Sequence, residues 1–126
     1  MNINNCPCGT GLPYENCCGP YHAKIQSAPT AVTLMRSRYT AFVVANAEYL
    51  YETTHISKRK GNTKNAYLQS AKNTKWVKLE IISAGFDTVT FKAYYLNSKF
   101  QTEVLHEQSN FSFVDGKWYY VDGVFY

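Results

Sequence analysis

The residues of this sequence with the clearest chemistry are its four cysteines, which lie within thirteen positions near the start of the chain: Cys6, Cys8, Cys17 and Cys18. Thiolates are ligands that zinc prefers, and structural zinc sites hold the ion with four protein ligands in a tetrahedron. Four cysteines would fill these positions and leave none open for a reacting water molecule. The cluster therefore predicts one structural zinc site.

The residues between the cysteines suit a chain that turns tightly around an ion. Pro7 stiffens the first pair, while Gly9 and Gly11 can adopt the positive φ values that such a turn requires. Backbone N–H groups in the turn can donate hydrogen bonds to the sulfur atoms. Because so short a loop has almost no hydrophobic core, the metal would supply its folding energy.

Other uses of the cysteines fit the spacing less well. A disulfide between the adjacent Cys17 and Cys18 would be strained, and the C-x-x-C spacing of redox sites is absent. Two disulfides that join the pairs would need an oxidising compartment. His22 follows closely and could replace one of the adjacent cysteines as the fourth ligand.

The composition predicts one compact domain behind the cysteine segment, since the 126 residues are 45% hydrophobic and 17% charged. No apolar stretch approaches the roughly 18 residues that would span a bilayer. The first residues, MNINNCPC, have neither the basic start nor the apolar run of a secretory signal. We therefore expect a cytoplasmic protein without membrane insertion. In a reducing cytoplasm, clustered cysteines more often bind metal or perform redox chemistry than form structural disulfides.

Helical periodicity dominates the chain between the cysteine segment and residue 73. Thr30 is a good N-cap, and apolar residues at helical spacing follow it as far as Val43. Asn46 is predicted to break this segment into a long helix and a shorter one. We expect residues 56–63 to form an exposed loop and residues 64–73 to form a further short helix.

After this point the hydrophobic period changes from 3.6 to 2, which is typical of strands. The first strand is predicted to place two alternating sets of side chains on opposite faces: Val77, Leu79 and Ile81 against Trp76, Lys78 and Glu80. Asp115-Gly116 is a strong hairpin signal between the last two of four strands. Helices followed by a four-strand antiparallel meander predict an α+β fold, with the helices packed on one concave, curved sheet face.

The spacing C-x-C-x8-C-C, written here CPCGTGLPYENCCG, resembles the SEC-C zinc-binding motif. Thr10 stands where the motif usually has Ser, and Cys18 takes the fourth ligand position, which is His or Cys. The segments CCGPYH, LMRSRYTAFVVANAEYLYETTH and LHEQSNFSFVDGKWYYVDG extend the resemblance to the YchJ-like family of small bacterial proteins. This resemblance implies a zinc motif over residues 1–22, followed by a nuclear transport factor 2-like (cystatin-like) cone over residues 23–126.

A cone of this kind has an apolar interior, where small-molecule sites are common. Arg36 and Arg38 are two residues apart on a helix and cannot share one face, so one of them could be a buried partner of Glu107 or Asp122. His106 and Glu107 alternate along a strand, so only one of them can point inward. The candidate pocket residues, each of which could instead have a purely structural role, are Arg38, Tyr39, Trp76, His106, Glu107 and Trp118.

A basic segment offers a second kind of site. Seven basic residues and no acidic one lie between Glu52 and Glu80, in a chain of formal net charge +4. Such a segment, with Tyr67 and Trp76 interspersed, could contact phosphates and stack a base, or it could be an ordinary solvated surface. The candidate basic surface consists of Lys58, Arg59, Lys60, Lys64, Lys72 and Lys75.

The sequence contains no nucleophile elbow, phosphate loop or H-E-x-x-H helix, so an enzyme interpretation would depend on fold analogy alone. The leading hypothesis is a non-catalytic zinc-binding protein whose SEC-C segment docks a macromolecule, either a protein or a ribosome or RNA surface, and whose cone can hold a small ligand. The alternative hypothesis is a small-molecule-binding protein or enzyme that uses the cone.

Overall fold

The computed structural model describes residues 5–126, so the first four residues of the predicted zinc motif lie outside the described part. Within it, the α-helices are α1 (Gly19–His22), α2 (Ala31–Val43), α3 (Ala47–Glu52) and α4 (Lys64–Asn73), with 3-10 turns at Tyr14–Asn16 and Ile56–Gly61. The strands are β1 (Lys75–Ala84), β2 (Thr88–Leu96), β3 (Thr102–Val114) and β4 (Lys117–Phe125). Across residues 5–126, no helix has the length and apolar character that crossing a membrane requires.

Side-chain caps set the starts of α2, α3 and α4. In each case the side-chain oxygen of the capping residue accepts the backbone N–H three residues ahead, at Thr30, Asn46 and Thr63. The predicted helix start at Thr30, the break at Asn46 and the short helix over residues 64–73 are confirmed. The segment 56–63, which was expected to be a loop, contains the second 3-10 turn.

The four strands form one antiparallel sheet in the order β1-β2-β3-β4, as predicted for a meander. Asp115 and Gly116 join β3 to β4 with φ values of 49° and 82°, the left-handed conformation that a two-residue hairpin turn requires. Helix α2 lies against one face of the sheet, where it contacts β1, β2 and β4, and α4 packs on α2 and α3. The predicted α+β class is therefore confirmed.

The first strand departs from the predicted alternation at one residue. The pairing of β1 with β2 shifts between Trp76 and Lys78, so that Val77 forms a β-bulge. Trp76 consequently packs against the core on the same face as Leu79, while Val77 is 52% exposed. The prediction that Val77 shares a face with Leu79 and that Trp76 lies on the opposite face is wrong, because one extra residue in the strand reverses the alternation.

The core lies between α2 and the inner face of the sheet. Leu34 and Met35 of α2 are buried together with Val89 and Phe91 of β2. Burial of an aliphatic or aromatic side chain of this size contributes about 1.5–3 kcal/mol relative to its exposure. This packing fixes α2 on the sheet, and α2 carries residues of both candidate sites described below.

Gly123 of β4 lies close to the side chain of Glu107 on the inner face of the sheet. A Cβ atom at Gly123 would overlap with the side chain of Glu107 on the neighbouring strand. We expect Gly123→Ala to lower the free energy of unfolding by about 1–3 kcal/mol, because an added methyl group forces packed neighbours to move. Urea unfolding followed by circular dichroism measures the change.

The matched control is Gly61→Ala, since a Cβ atom there has no neighbour within 4 Å and the residue has no positive φ. We expect this variant to unfold like the unsubstituted protein. Equal stability of the two variants would contradict the proposed close approach of Gly123 and Glu107.

Candidate metal centre and ligand cavity

The four cysteine side chains meet in one cluster. Their Sγ atoms all lie within 4.8 Å of one another, and the Cys8 and Cys17 Sγ atoms are 3.6 Å apart. All four cysteines are free thiols. Cys6, Cys8 and Cys18 are buried, while Cys17 is half-buried.

These distances fit a single metal ion. With a zinc–sulfur bond of about 2.3 Å, a tetrahedron places its sulfur atoms about 3.8 Å apart. The separation of 3.6 Å between the Cys8 and Cys17 Sγ atoms is close to this value, and the whole cluster lies within the reach of one ion. The four cysteines could therefore bind one metal ion.

Backbone hydrogen bonds close the loop that carries the first two cysteines. The Cys6 N–H donates to the Leu12 carbonyl at 2.7 Å, and the Gly9 N–H donates to the Cys6 carbonyl at 3.1 Å. Gly9 and Gly11 have φ values of 89° and 86°, a region that other residues adopt only with strain. The local sequence thus shapes the turn as the spacing of its glycines predicts.

Polar side chains surround the sulfur atoms. The Thr10 hydroxyl oxygen lies 3.1 Å from Cys17 Sγ, and the Thr40 hydroxyl oxygen lies 3.6 Å from Cys6 Sγ. Arg36 of α2 donates from Nη1 to the Cys8 carbonyl at 2.7 Å. Hydroxyl groups and a guanidinium beside the cluster would temper the negative charge of metal-bound thiolates.

The thiol groups of the cluster influence one another's protonation. Burial raises the pKa of Cys17 to about 11. Hydrogen bonding with Cys6 and Cys8, followed by burial, raises the pKa of Cys18, while hydrogen bonds from Cys18 and Cys8 lower the pKa of Cys6. A bound cation would displace the shared protons, because a thiol binds metal as the thiolate.

His22 lies near the cluster, but its ring is engaged elsewhere. Its Nε2 donates to the Ser37 carbonyl at 2.8 Å, so Nδ1 accepts the hydrogen bond from the Tyr14 hydroxyl at 2.7 Å. Burial lowers the pKa of His22, which favours this neutral ring. The structure therefore uses His22 to connect the SEC-C-like segment with α2 and does not bring it into the cysteine cluster.

A cavity of about 390 Å³ opens between α2, α4 and the inner face of the sheet. Its walls are mainly aromatic, and Arg38, Tyr39, Trp76 and Glu107 all line it. Its volume is in the range of small-molecule sites, about 300–1,000 Å³. The structure thus brings together four of the six candidate pocket residues.

Arg38 is 4% exposed and binds only neutral oxygen atoms. Its Nη1 donates to the Leu50 carbonyl at 2.8 Å and to the Thr53 hydroxyl at 2.7 Å, with a longer contact of 3.4 Å to the Thr54 hydroxyl. Its Nη2 donates to the Tyr67 hydroxyl at 3.2 Å. The guanidinium is therefore fixed by α3 and α4 and not by an acidic residue.

Glu107 is 6% exposed and lies on the opposite wall of the cavity, on β3. Its Oε2 accepts hydrogen bonds from Ser109 at 2.8 Å and from Tyr120 at 3.0 Å. Burial and then the charge of Glu107 raise the pKa of Tyr120, so the phenol keeps the proton that it donates. Among residues 5–126, the ion pairs are those of Lys24 with Glu48 and Glu52, so Arg38 and Glu107 are not paired with each other.

Trp76, which lines the cavity, has a buried polar atom without a hydrogen-bond partner in the described part of the chain. Its indole Nε1 is buried and has no hydrogen-bond partner within residues 5–126. The ring makes edge-on contacts with Tyr39 and Tyr95, at centroid distances of 5.9 and 5.5 Å. An unpaired buried donor costs about 1–3 kcal/mol, which is the kind of cost that structures tolerate at binding sites.

His106 and Trp118, the other two candidate pocket residues, do not line the cavity. His106 points to the outer face of the sheet, where its ring lies 4.8 Å from that of Tyr126, because the alternation along β3 turns Glu107 inward. Trp118 lies near the β3–β4 turn, and its Nε1 donates to the Pro29 carbonyl at 3.3 Å. The prediction that His106 and Trp118 line the pocket is therefore wrong.

The candidate basic surface divides into two groups. Arg59 is used within the fold, since its guanidinium donates to the Thr54 and Glu52 carbonyls, each at 3.0 Å. The lysines of the set are all exposed. Lys72 and Lys75 line an open groove of about 800 Å³ that also includes Trp76, Tyr95 and Phe100.

Two family models match the chain. The SEC-C motif matches residues 4–20, which include all four cysteines. The model described as YchJ, middle NTF2-like domain, matches residues 30–123. The second match covers α2, α3, α4, β1, β2, β3 and all but the last two residues of β4.

Individual proteins resemble the chain over nearly its full length. A UPF0225 protein from Streptomyces coelicolor is 42% identical over 127 residues, covering 95% of this chain and 94% of that protein. The solution structure of a SEC-C motif containing protein from Rhodopseudomonas palustris matches with a TM-score of 0.87 and 31% identity, over 95% of this chain and 97% of that one. The crystal structure of a SEC-C motif containing protein from Psychrobacter arcticus gives a TM-score of 0.79 at 30% identity, over 95% and 81%.

The different surroundings of Cys18 and His22 lead to a prediction about metal binding. We expect Cys18→Ser to lose the bound ion on dialysis, because a serine hydroxyl is not a thiolate. We expect His22→Gln to keep one ion per chain, since glutamine can replace both hydrogen bonds of the ring. Elemental analysis after dialysis gives the metal content, and near-ultraviolet circular dichroism checks the fold. A metal-free His22→Gln protein beside a metal-loaded Cys18→Ser protein would identify His22 as the ligand.

Proposed function

Because the chain belongs to the YchJ-like family, in which a SEC-C motif precedes an NTF2-like domain, we propose that it is a zinc-binding protein whose cone-shaped cavity holds a small molecule. One observation carries the cavity proposal. Arg38 and Glu107 are both buried in its walls and carry opposite charges, yet they do not form an ion pair.

The choice of zinc rests on the donor set. Four thiolates in a closed, largely buried cluster suit a borderline-soft ion without redox chemistry. Bound zinc would stabilise the turn over Cys6–Cys18, because the segment has little core of its own. Free thiols are also consistent with a cytoplasmic location, where the reducing environment preserves them. We propose residues 1–22 as the zinc-binding segment and residues 23–126 as the cone domain.

Buried charges support a ligand because their burial is costly. Removing an ion from water costs several kcal/mol even after the surroundings relax. The free-energy cost of burying Arg38 and Glu107 would be smallest if they formed a direct ion pair. Each is instead held by neutral groups on its own wall of the cavity. An arrangement of this kind is common where side chains are positioned for a bound molecule.

Helix α2 links the two sites. Arg36 and Thr40 contact the cysteine segment, while Arg38 and Tyr39 line the cavity. A zinc ion that orders the cysteine segment would therefore also hold α2 in place as one wall of the cavity. On this proposal the metal has a structural role and the cavity performs the binding.

Native mass spectrometry tests both parts of the proposal on the same sample. We expect one zinc ion per chain, together with a retained small molecule that is lost under denaturing conditions. Glu107→Ala should reduce the retained molecule but not the zinc, whereas Lys92→Ala, on the outer face, should change neither.

A chain without zinc would contradict the metal assignment. A zinc-loaded chain with no retained molecule, and with no thermal shift in the presence of small aromatic compounds, would contradict the cavity proposal.

A second candidate function is docking to RNA, including a ribosomal RNA surface, and the groove at Lys72 and Lys75 favours it. Phe100, 78% exposed, stands at the same groove and could stack on a base. Lys75 begins β1, and the cysteine segment lies against the same strand, since a Cβ atom at Gly9 would come within 3.9 Å of the Leu79 carbonyl. The SEC-C segment and the basic groove therefore border one edge of the sheet. A protein partner of the SEC-C segment is the competing outcome.

Charge reversal at this groove tests the docking function. We expect the Lys72→Glu, Lys75→Glu double variant to bind a short oligouridylate about tenfold more weakly at 0.1 M salt, with a smaller slope of log affinity against log salt. Fluorescence anisotropy measures both quantities. The Lys92→Glu, Lys117→Glu double variant, which changes the charge equally but away from the groove, is the control for net charge. Equal losses in the two proteins, or no binding by the unsubstituted chain, would contradict an RNA site at the groove.

A further inference from the structure

Besides Trp76 Nε1, two charged-group atoms of side chains that line the cavity have no hydrogen-bond partner within residues 5–126. The hydrogen bonds of Arg38 all start from Nη1 or Nη2, so its Nε–H group has none. Both hydrogen bonds of Glu107 end on Oε2, so Oε1 has none. The cavity therefore offers one free cationic donor and one free anionic acceptor.

Tyr120 brings these two groups close together. Its ring centroid lies 4.7 Å from the Arg38 guanidinium carbon, and its hydroxyl group donates to Glu107 Oε2 at 3.0 Å. Arg38 thus lies over the face of the Tyr120 ring, and Glu107 accepts a hydrogen bond from the hydroxyl group of the same ring. Both groups therefore lie next to Tyr120, within the cavity that a small ligand would fill.

Both side chains are held in place before any ligand arrives. Arg38 is fixed by oxygen atoms from α3, α4 and the residues after α3, and Glu107 is fixed by Ser109 and Tyr120. Gly123 leaves the space that the Glu107 side chain occupies. Groups whose rotamers are fixed by their neighbours bind with little loss of conformational entropy.

The charges of the cavity limit the charge of its ligand. Arg38 and Glu107 sum to zero, so an anion or a cation would bury one net charge in an aromatic cavity, at a cost of several kcal/mol. A zwitterion would match both groups but would have to give up the hydration of two charges. A neutral molecule with a hydrogen-bond acceptor beside a donor would pair with both Arg38 and Glu107, and its desolvation would cost less free energy than that of a charged molecule.

From this juxtaposition we infer that the cavity binds a small, neutral, planar molecule with a carboxamide or lactam group, whose carbonyl accepts from Arg38 and whose N–H donates to Glu107. The inference rests on the proposed ligand-binding function and specifies its ligand class. A planar ring on this group would pack between the aromatic walls formed by Tyr39, Phe42, Tyr67, Trp76 and Tyr95.

Five probes with the same benzene ring test the ligand class on the zinc-loaded full chain: benzamide, benzoate, benzamidine, toluene and phenylglycine. Titrations are followed by the amide resonances of Phe91 and Glu107 in ¹H–¹⁵N spectra. We expect benzamide to bind about tenfold more tightly than toluene, which corresponds to hydrogen bonds worth about 1.4 kcal/mol. Benzoate and benzamidine should bind more weakly than benzamide.

Glu107→Gln provides a reversal that a merely apolar cavity would not show. The variant keeps the shape of the side chain but leaves Arg38 as the only charge of the pair. We expect benzoate to become the tightest of the five probes. His106→Gln changes the adjacent residue on the outer face and should keep the order of the unsubstituted chain.

The other outcomes separate the ligand class from the ligand-binding function. Tightest binding of benzamidine, benzoate or phenylglycine would overturn the neutral class but retain a ligand cavity. Equal binding of all five would also overturn it and leave an apolar cavity. If no probe shifts the Phe91 and Glu107 resonances, both the ligand class and the cavity function are wrong.

Discussion

The burial of the Arg38 guanidinium is the constraint on which most of the domain depends. A buried cation without an acidic partner needs several oxygen atoms at hydrogen-bond distance. The fold provides them from the end of α3, from Thr53 and Thr54 beyond it, and from Tyr67 of α4. Carbonyl groups at a helix C-terminus also carry partial negative charge, which favours a cation there.

The same requirement ties the helices to the sheet. The Tyr120 N–H donates to the Thr53 carbonyl at 2.8 Å, and the His55 N–H donates to the Tyr120 carbonyl at 2.7 Å. The residues that hold Arg38 are thus hydrogen-bonded directly to β4, where Tyr120 holds Glu107. One connected set of polar groups therefore runs from α2 through α3 to β4 and β3, across the core.

Some parts of this arrangement follow from local sequence, and others depend on contacts between distant residues. The N-cap at Thr30, the Asp115-Gly116 turn and the grouping of the four cysteines are set by neighbouring residues, so the sequence predicts them. The bulge at Val77 follows from the pairing of β1 with β2. The alternation of residues within β1 alone carries no information about this pairing.

The polar contacts of the cavity show the same division. The spacing of Arg36 and Arg38 predicts that they diverge, and they do. The spacing of these two residues does not predict that Arg38 binds neutral oxygen atoms instead of Glu107, because those oxygens come from α3, α4 and the residues after α3.

The bulge at Val77 has a further effect on association. As β1 is an edge strand, a bulge that bends and twists it makes its free edge a poor template for strand addition, so the fold disfavours growth of the sheet into aggregates from that side.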